Sequence, residues 1–221
     1  MGDKPLVSGN LAGVIKLPAP RPDSKISVES ALRRRRSVRE FRRGALTLAE
    51  TSQLLWAAQG ITGPEGQRTA PSAGALYPLE VFLVACDQDE LPTGVYRCRP
   101  QGHELNLVVQ GDKRAELAGA AREQDWLKDA PATIVIAAVY ERTARKYQQR
   151  AERYLHMEAG HAAQNVHLQA VALDLGTVVV GAFDDAGVKG GVDTSRERAT
   201  TVPDAGRQAS LVAALPPSTR H

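Results

Sequence analysis

Arg35-Arg36-Ser37-Val38-Arg39-Glu40-Phe41 and, further along, Thr69-Ala70-Pro71-Ser72-Ala73-Gly74-Ala75-Leu76-Tyr77-Pro78 are the two stretches on which the reading of this chain turns. The first gathers planar, permanently charged guanidinium forks around a serine hydroxyl. A phosphate monoester carries nearly two negative charges and takes several such donors at once. Ser27 can cap a short helix through Glu29, Ala31 and Leu32, so that Arg35, Arg36, Ser37 and Arg39 collect where the helix yields to an extended segment. With Arg33, Arg34, Arg42 and Arg43 and a pI near 9.0, the same run also suits a solvated basic face or a nucleic-acid patch.

In the second stretch Pro71, Ser72, Ala73, Gly74 and Ala75 are all small or rigid, and nothing from Gly60 to Gly74 repeats like a helix or a strand. Backbone of this kind can approach a flat heterocycle closely, the Ser72 hydroxyl and the amides of Ala73 and Gly74 offering donors. Ala70-Pro71-Ser72-Ala73-Gly74 also approximates a G-x-S-x-G nucleophile elbow. An elbow needs a strand before it and a helix after it; here the polar segment precedes and the apolar Leu79 to Ala85 follows. An ordinary surface loop is the third reading.

Outward from these stretches the chain alternates helix and strand. Thr47 and Glu50 form a T-x-x-E capping box for a helix through Leu54, Leu55 and Ala58, stopped at Gly60. Leu79 to Cys86 reads as a strand, and Gly94 to Cys98 with Glu104 to Val109 as a hairpin-like pair. Asp112 is placed as the cap of a helix through Leu117 and Ala121. Ala132 to Val139 is a continuous apolar run, hence a central strand. Ala151 to about Leu175 is the longest helix, with Gly176 at its end, and Thr177 to Val180 is a further strand delivering Gly181 and Ala182. Glu141 to Arg150 between strand and long helix reads as a loop.

With 221 residues, 43% of them hydrophobic, the chain can bury one sizeable core, and a single α+β domain is the expected count. Cys86 and Cys98 show neither CxxC nor zinc spacing. Leu11 to Leu17 is too short and too broken by Gly13 and Lys16 for a signal segment, and nothing approaches a membrane span, so a cytoplasmic protein without membrane or nucleic-acid partner is expected. Glu158-x-x-His161 has di-iron spacing but no second copy, so no metal is assigned.

Taken together, Arg35-Arg36-Ser37-Val38-Arg39, Leu46-Thr47-Leu48-Ala49-Glu50, Gln53 to Gly60, Ala70 to Pro78, Glu158-Ala159-Gly160-His161 with Gln164-Asn165, and Gly181 to Asp185 occur in one order. On these motifs the chain resembles the FMN-dependent nitroreductase-like oxidoreductases, and within them the thiazoline/oxazoline dehydrogenases of peptide natural-product clusters (SagB/ThcOx-type), over about Ser27 to Asp185. The resemblance implies an α+β nitroreductase-like fold with a central, mainly antiparallel sheet flanked by helices. It also implies a homodimer with FMN between subunits and two-electron or hydride transfer through flavin N5, acting on a small-molecule or peptide substrate. Pro71, Ser72, Ala73 and Gly74 would cradle the ring, and Gly181 and Ala182 would present backbone amides near N5. No G-x-G-x-x-G occurs, so NAD(P)H would be a transient donor at the flavin face. Lys146 and Tyr147 stand where that branch carries its proton-removing pair, although Gln148 replaces the usual following glycine.

The organisation expected is an N-terminal extension at 1–26, an FMN-binding domain at 27–186 and an atypical tail at 187–221. In the family a strand of alternating apolar residues ends in a Gly-Arg that reaches the FMN phosphate. Gly206-Arg207 is the surviving pair here, while Gly190 to Thr201 lacks that rhythm. If the tail is rewritten, the last core strand is missing, and a flavin-binding or flavin-sequestering protein without turnover becomes the alternative.

Overall fold

The computed structural model describes residues 13–40, 44–86, 90–122, 124–192 and 207–215, the last as backbone. In chain order the elements are β1 (Val14–Lys16), α1 (Val28–Arg34), α2 (Leu48–Gln59), β2 (Leu79–Ala85), β3 (Gly94–Arg99), β4 (Glu104–Gln110), α3 (Arg114–Ala120), β5 (Ala132–Val139), α4 (Tyr140–Tyr147), α5 (Ala151–Ala172), β6 (Gly176–Val180), α6 (Asp185–Val192) and β7 (Arg207–Leu215). The strands form one sheet in the order β1-β4-β3-β2-β5-β7-β6. All of its strand pairs are antiparallel, as the resemblance implies.

β5 explains why its sequence is apolar without a break: all eight residues are buried. Ile134, Ile136 and Ala138 enter a cluster with Leu54, Leu55, Leu155 and Val166 of α2 and α5. Val135 and Ala137 enter a second one with Leu117, Leu127 and Val188 on the opposite face. A strand covered on both sides has no solvent face to alternate with. α2 begins as the capping box requires, the Thr47 hydroxyl accepting from the Glu50 amide and the Glu50 carboxylate accepting from the Thr47 amide at 2.9 Å.

Three expectations change. The tail contains β7, which lies between β5 and β6 and pairs along both, so a core strand does follow the rewritten segment. Residues 140–147 form a helix rather than a loop, because Tyr-Glu-Arg-Thr-Ala-Arg-Lys-Tyr holds no glycine or proline to interrupt it. Lys113, not Asp112, occupies the cap of α3; the Asp112 carboxylate accepts from the Arg114 amide at 3.0 Å and clamps its guanidinium. Among the described residues no helix is long and apolar enough to cross a membrane.

Candidate functional site

The loop between α2 and β2 is held from α5. The Ala73 amide donates to Glu158 Oε1 at 2.8 Å, and the Ser72 hydroxyl donates to the same carboxylate. Ser72 Oγ accepts from the Tyr77 amide at 2.9 Å, and Asn165 Nδ2 donates to the Thr69 carbonyl at 3.0 Å. Glu158 is buried, and burial pushes its carboxyl above the ordinary range, the loop's donors opposing that rise. Of the polar residues Glu158, His161, Gln164 and Asn165 on α5, Glu158 and Asn165 therefore set the loop, while His161 and Gln164 are exposed.

Within this loop Gly74, Ala75 and Tyr77 have φ of +62°, +53° and +46°. With Leu76 at φ −81° between Ala75 and Tyr77, the segment mixes left- and right-handed backbone, a conformation able to turn successive amides toward a ligand. Lys146 and Tyr147, at the end of α4, meet it there. A Cβ on Gly74 would lie 2.8 Å from Lys146 Nζ and 2.8 Å from the Tyr147 hydroxyl. Tyr147 in turn rests edge-on against Tyr154 of α5, centroids 4.8 Å apart. Gly74→Ala is therefore expected to cost about 1–2 kcal/mol of stability from the left-handed backbone alone and to push the Lys146 and Tyr147 termini aside; urea unfolding together with a titration of ligand uptake checks it.

The arginine segment is seated elsewhere. Arg35 ends α1, its amide donating to the Ala31 carbonyl. Ser37 bridges Thr177 of β6 in parallel fashion, and the Val38 amide donates to the Thr177 carbonyl at 2.9 Å. Beneath it, the His167 ring meets the Thr177 hydroxyl at 2.6 Å. Arg36 turns back on its own chain, donating to the carbonyls of Arg33 and Arg35 at 2.9 and 2.7 Å. It also lines, with Arg34, Val38 and Thr177, a cavity of about 200 Å³. Arg39 is exposed. Phe41 and the side chain of Arg207 lie outside the described residues.

His167 is the residue here that the sequence did not single out. Burial, with the Arg35 charge acting in the same direction, pushes it down to about 4 from 6.5. Between those two pH values the unfolded chain binds the proton and the folded chain does not, so stability falls as pH falls across that window and levels off below it. Urea midpoints at pH 7 and pH 4.5 are expected to differ less in His167→Gln than in the parent.

Gly181 and Ala182 follow β6 directly, about 13 Å beyond Thr177 at the usual strand rise. Both are exposed; the Ala182 carbonyl accepts from Gln124 at 3.3 Å, and a Cβ on Gly181 would meet nothing within 4 Å. The predicted residues thus form two groups. Pro71 to Gly74 are anchored at Glu158 and meet Lys146 and Tyr147 at Gly74; Ser37 and Val38 lie against Thr177 of β6, which His167 holds, and Gly181 and Ala182 stand at the end of that strand. Those anchors are half a turn out of phase on α5, at 3.6 residues per turn, so one chain carries the two groups on opposite sides of its central helix. Among the described residues there is no group of three or more His, Cys, Asp or Glu arranged to hold a metal ion.

The family model described as "Nitroreductase family" matches residues 32–201. MJ1384 of Methanocaldococcus jannaschii, which carries a nitroreductase name, is 48% identical over 165 residues, covering 74% of this chain and 83% of that protein. The microcin B17-processing protein McbC of Escherichia coli is 30% identical over 127 residues, covering 54% of this chain and 46% of McbC, so the match spans about half of that relative. Among solved structures, a protein of Ralstonia eutropha described as a nitroreductase superposes with a TM-score of 0.80 at 26% identity, over 98% of this chain and 97% of that one.

Proposed function

The chain belongs to the nitroreductase family, an oxidoreductase family, and from that membership we propose that it holds FMN between two copies of itself and oxidises an azoline-type ring in a peptide-borne or small-molecule substrate. The observation that carries this reading is the meeting of Lys146 and Tyr147 with the cradle at Gly74. It puts an amine and a phenol beside backbone built to accept a planar group.

The residues present suit the flavin. Arg35, Arg36, Ser37 and Arg39 would hold the phosphate, where a cavity already stands between Arg36 and Thr177. The amides of Gly181 and Ala182, with open space on the Cα side of Gly181, would face the ring. Because one chain's arginine segment and its cradle lie on opposite sides of α5, Pro71 to Gly74 would come from the second copy. That arrangement supports a homodimer. Bound FMN supplies a two-electron acceptor or donor. The chain's own part is proton handling and order: Lys146 and Tyr147 take the proton that leaves the substrate carbon, and Glu158 keeps the cradle in place.

The identity to MJ1384 favours a second reading, reduction of a small molecule with NAD(P)H as the transient donor at the same site. Denaturing the purified protein and identifying any yellow chromophore tests the cofactor. A colourless protein that takes up no added FMN overturns the proposal. Turnover of an azoline-bearing peptide against turnover of a nitroaromatic with NAD(P)H then separates the two chemistries.

A further inference from the structure

α4 meets the cradle loop at two points along one of its faces. Arg142 and Lys146 stand four residues apart and so share that face of the helix. Arg142 donates to the Tyr77 carbonyl at 3.3 Å, and a Cβ on Gly74 would lie 2.8 Å from Lys146 Nζ. Helix and loop therefore run antiparallel, Arg142 against Tyr77 and Lys146 against Gly74. A helix of eight residues is marginal by itself, so its place is set by what it touches. On one side it packs on α5, where Tyr147 meets Tyr154. On the side that faces the loop, Arg142 holds it.

Tyr77 is the fixed point of the loop. Its amide donates to Ser72 Oγ at 2.9 Å, its ring centroid lies 4.7 Å from the Arg68 guanidinium, and Arg68 donates to Gln59 of α2 at 3.0 Å. Arg142 is itself aimed by Glu80 of β2, whose Oε1 meets it at 2.5 Å while Oε2 meets Arg97 of β3 at 2.9 Å. The Arg142 fork thus joins the sheet, the loop and the helix that carries Lys146 and Tyr147. Arginine suits this place because its planar fork serves two acceptors at fixed angles, which the single ammonium of a lysine does not reproduce. Its side chain is 40% exposed, so the ion pair adds little to global stability and acts on where α4 lies.

We propose that Arg142, aimed by Glu80, is a positioning residue that holds Lys146 and Tyr147 against Gly74. Without it α4 keeps its packing on α5 but can slide along the loop, and the amine and the hydroxyl leave the place where a substrate carbon would meet them. A shift of roughly 1 Å at reacting groups costs about 100-fold in rate. Glu80 keeps Arg97 when Arg142 is replaced, so its carboxylate is not left without a partner. That Arg142 pins the helix rests on these contacts alone; that the pinning serves turnover rests on the proton-handling role proposed above.

The test compares Arg142→Gln with the parent and with Arg145→Gln, a control that removes one positive charge from an exposed position of the same helix. In the full chain as purified, amide hydrogen exchange over residues 140–147 is expected to speed up by about tenfold or more in Arg142→Gln and not in the control, with β2 and α5 unchanged. In the FMN-loaded protein, kcat on an azoline-bearing peptide is expected to fall by about 10- to 100-fold with KM and flavin absorbance per subunit unchanged. Arg142→Lys should recover only part of the loss, since it restores the charge and not the fork. In a Lys146→Ala/Tyr147→Phe background, Arg142→Gln should lower kcat no further, because a residue that acts through that pair has nothing left to place. Unchanged exchange over 140–147, an equal loss in Arg145→Gln, or an undiminished loss in the Lys146→Ala/Tyr147→Phe background overturns the proposal. If Lys146→Ala and Tyr147→Phe keep the parent rate while exchange over 140–147 rises in Arg142→Gln, the proton-handling reading fails and the positioning of α4 stands.

Discussion

Lys146→Ala is expected to lower turnover by about 10²–10⁴-fold, the usual worth of a positioned proton acceptor, while leaving FMN content unchanged. Tyr147→Phe, which removes only the hydroxyl, is expected to act in the same direction with its ring still packed on Tyr154. The geometry gives the reason for the separation of effects. Both groups end on the open side of Gly74, whereas the loop's own order comes from Glu158, Ser72 and Asn165. Removing either terminus therefore leaves the cradle standing. Flavin absorbance per subunit and initial rates on an azoline-bearing peptide measure the two quantities independently, and unchanged rates in both variants would remove the proton-handling role.

Arg39→Ala is expected to weaken FMN binding by about 1.5–3 kcal/mol, one charge-assisted hydrogen bond to a phosphate. Riboflavin, which lacks the phosphate, should bind the parent far more weakly than FMN does and should not distinguish parent from variant. Arg39 is exposed and continues the strand-like segment that Ser37 and Val38 begin against Thr177, so its loss should leave the fold intact. Equal affinity of the parent for FMN and riboflavin would show that the arginine segment serves some other anion.

Much of this was legible because it is local. The Thr47–Glu50 box, the apolar run of β5 and the Ala-rich α5 carry their signals within a few residues. α4 was hidden by its charge: Glu-Arg-Thr-Ala-Arg-Lys is as good a helix as it is a polar loop, and only packing against α5 decides. Gln148 shows the reverse case. With φ of +49° and ψ of −125° it adopts the backbone that favours the glycine the resemblance led one to expect, and the chain turns there without it.

β7 lacks the alternation of apolar and polar residues that marks a half-exposed strand. Ala209 to Leu215 is apolar but for Ser210, the near-continuous pattern of a central strand. The cluster of Arg68, Glu80, Arg97 and Arg142 has no local signal at all, its members coming from four separate segments that the fold brings together.

The position of β7 also orders events during synthesis. Among the named pairings β6 reaches the sheet only across β7, so a nascent chain still lacking residues 207–215 leaves β6 without its partner and the side of β5 that β7 covers unpaired. Such an edge, apolar along eight residues, is an invitation to pair with another unfinished chain. Thr177 pairs with Ala214, so the strand that leads to Gly181 takes its place in the sheet together with β7. A chain truncated before residue 207 is therefore expected to associate through that edge and, on the proposed reading, to take up no FMN.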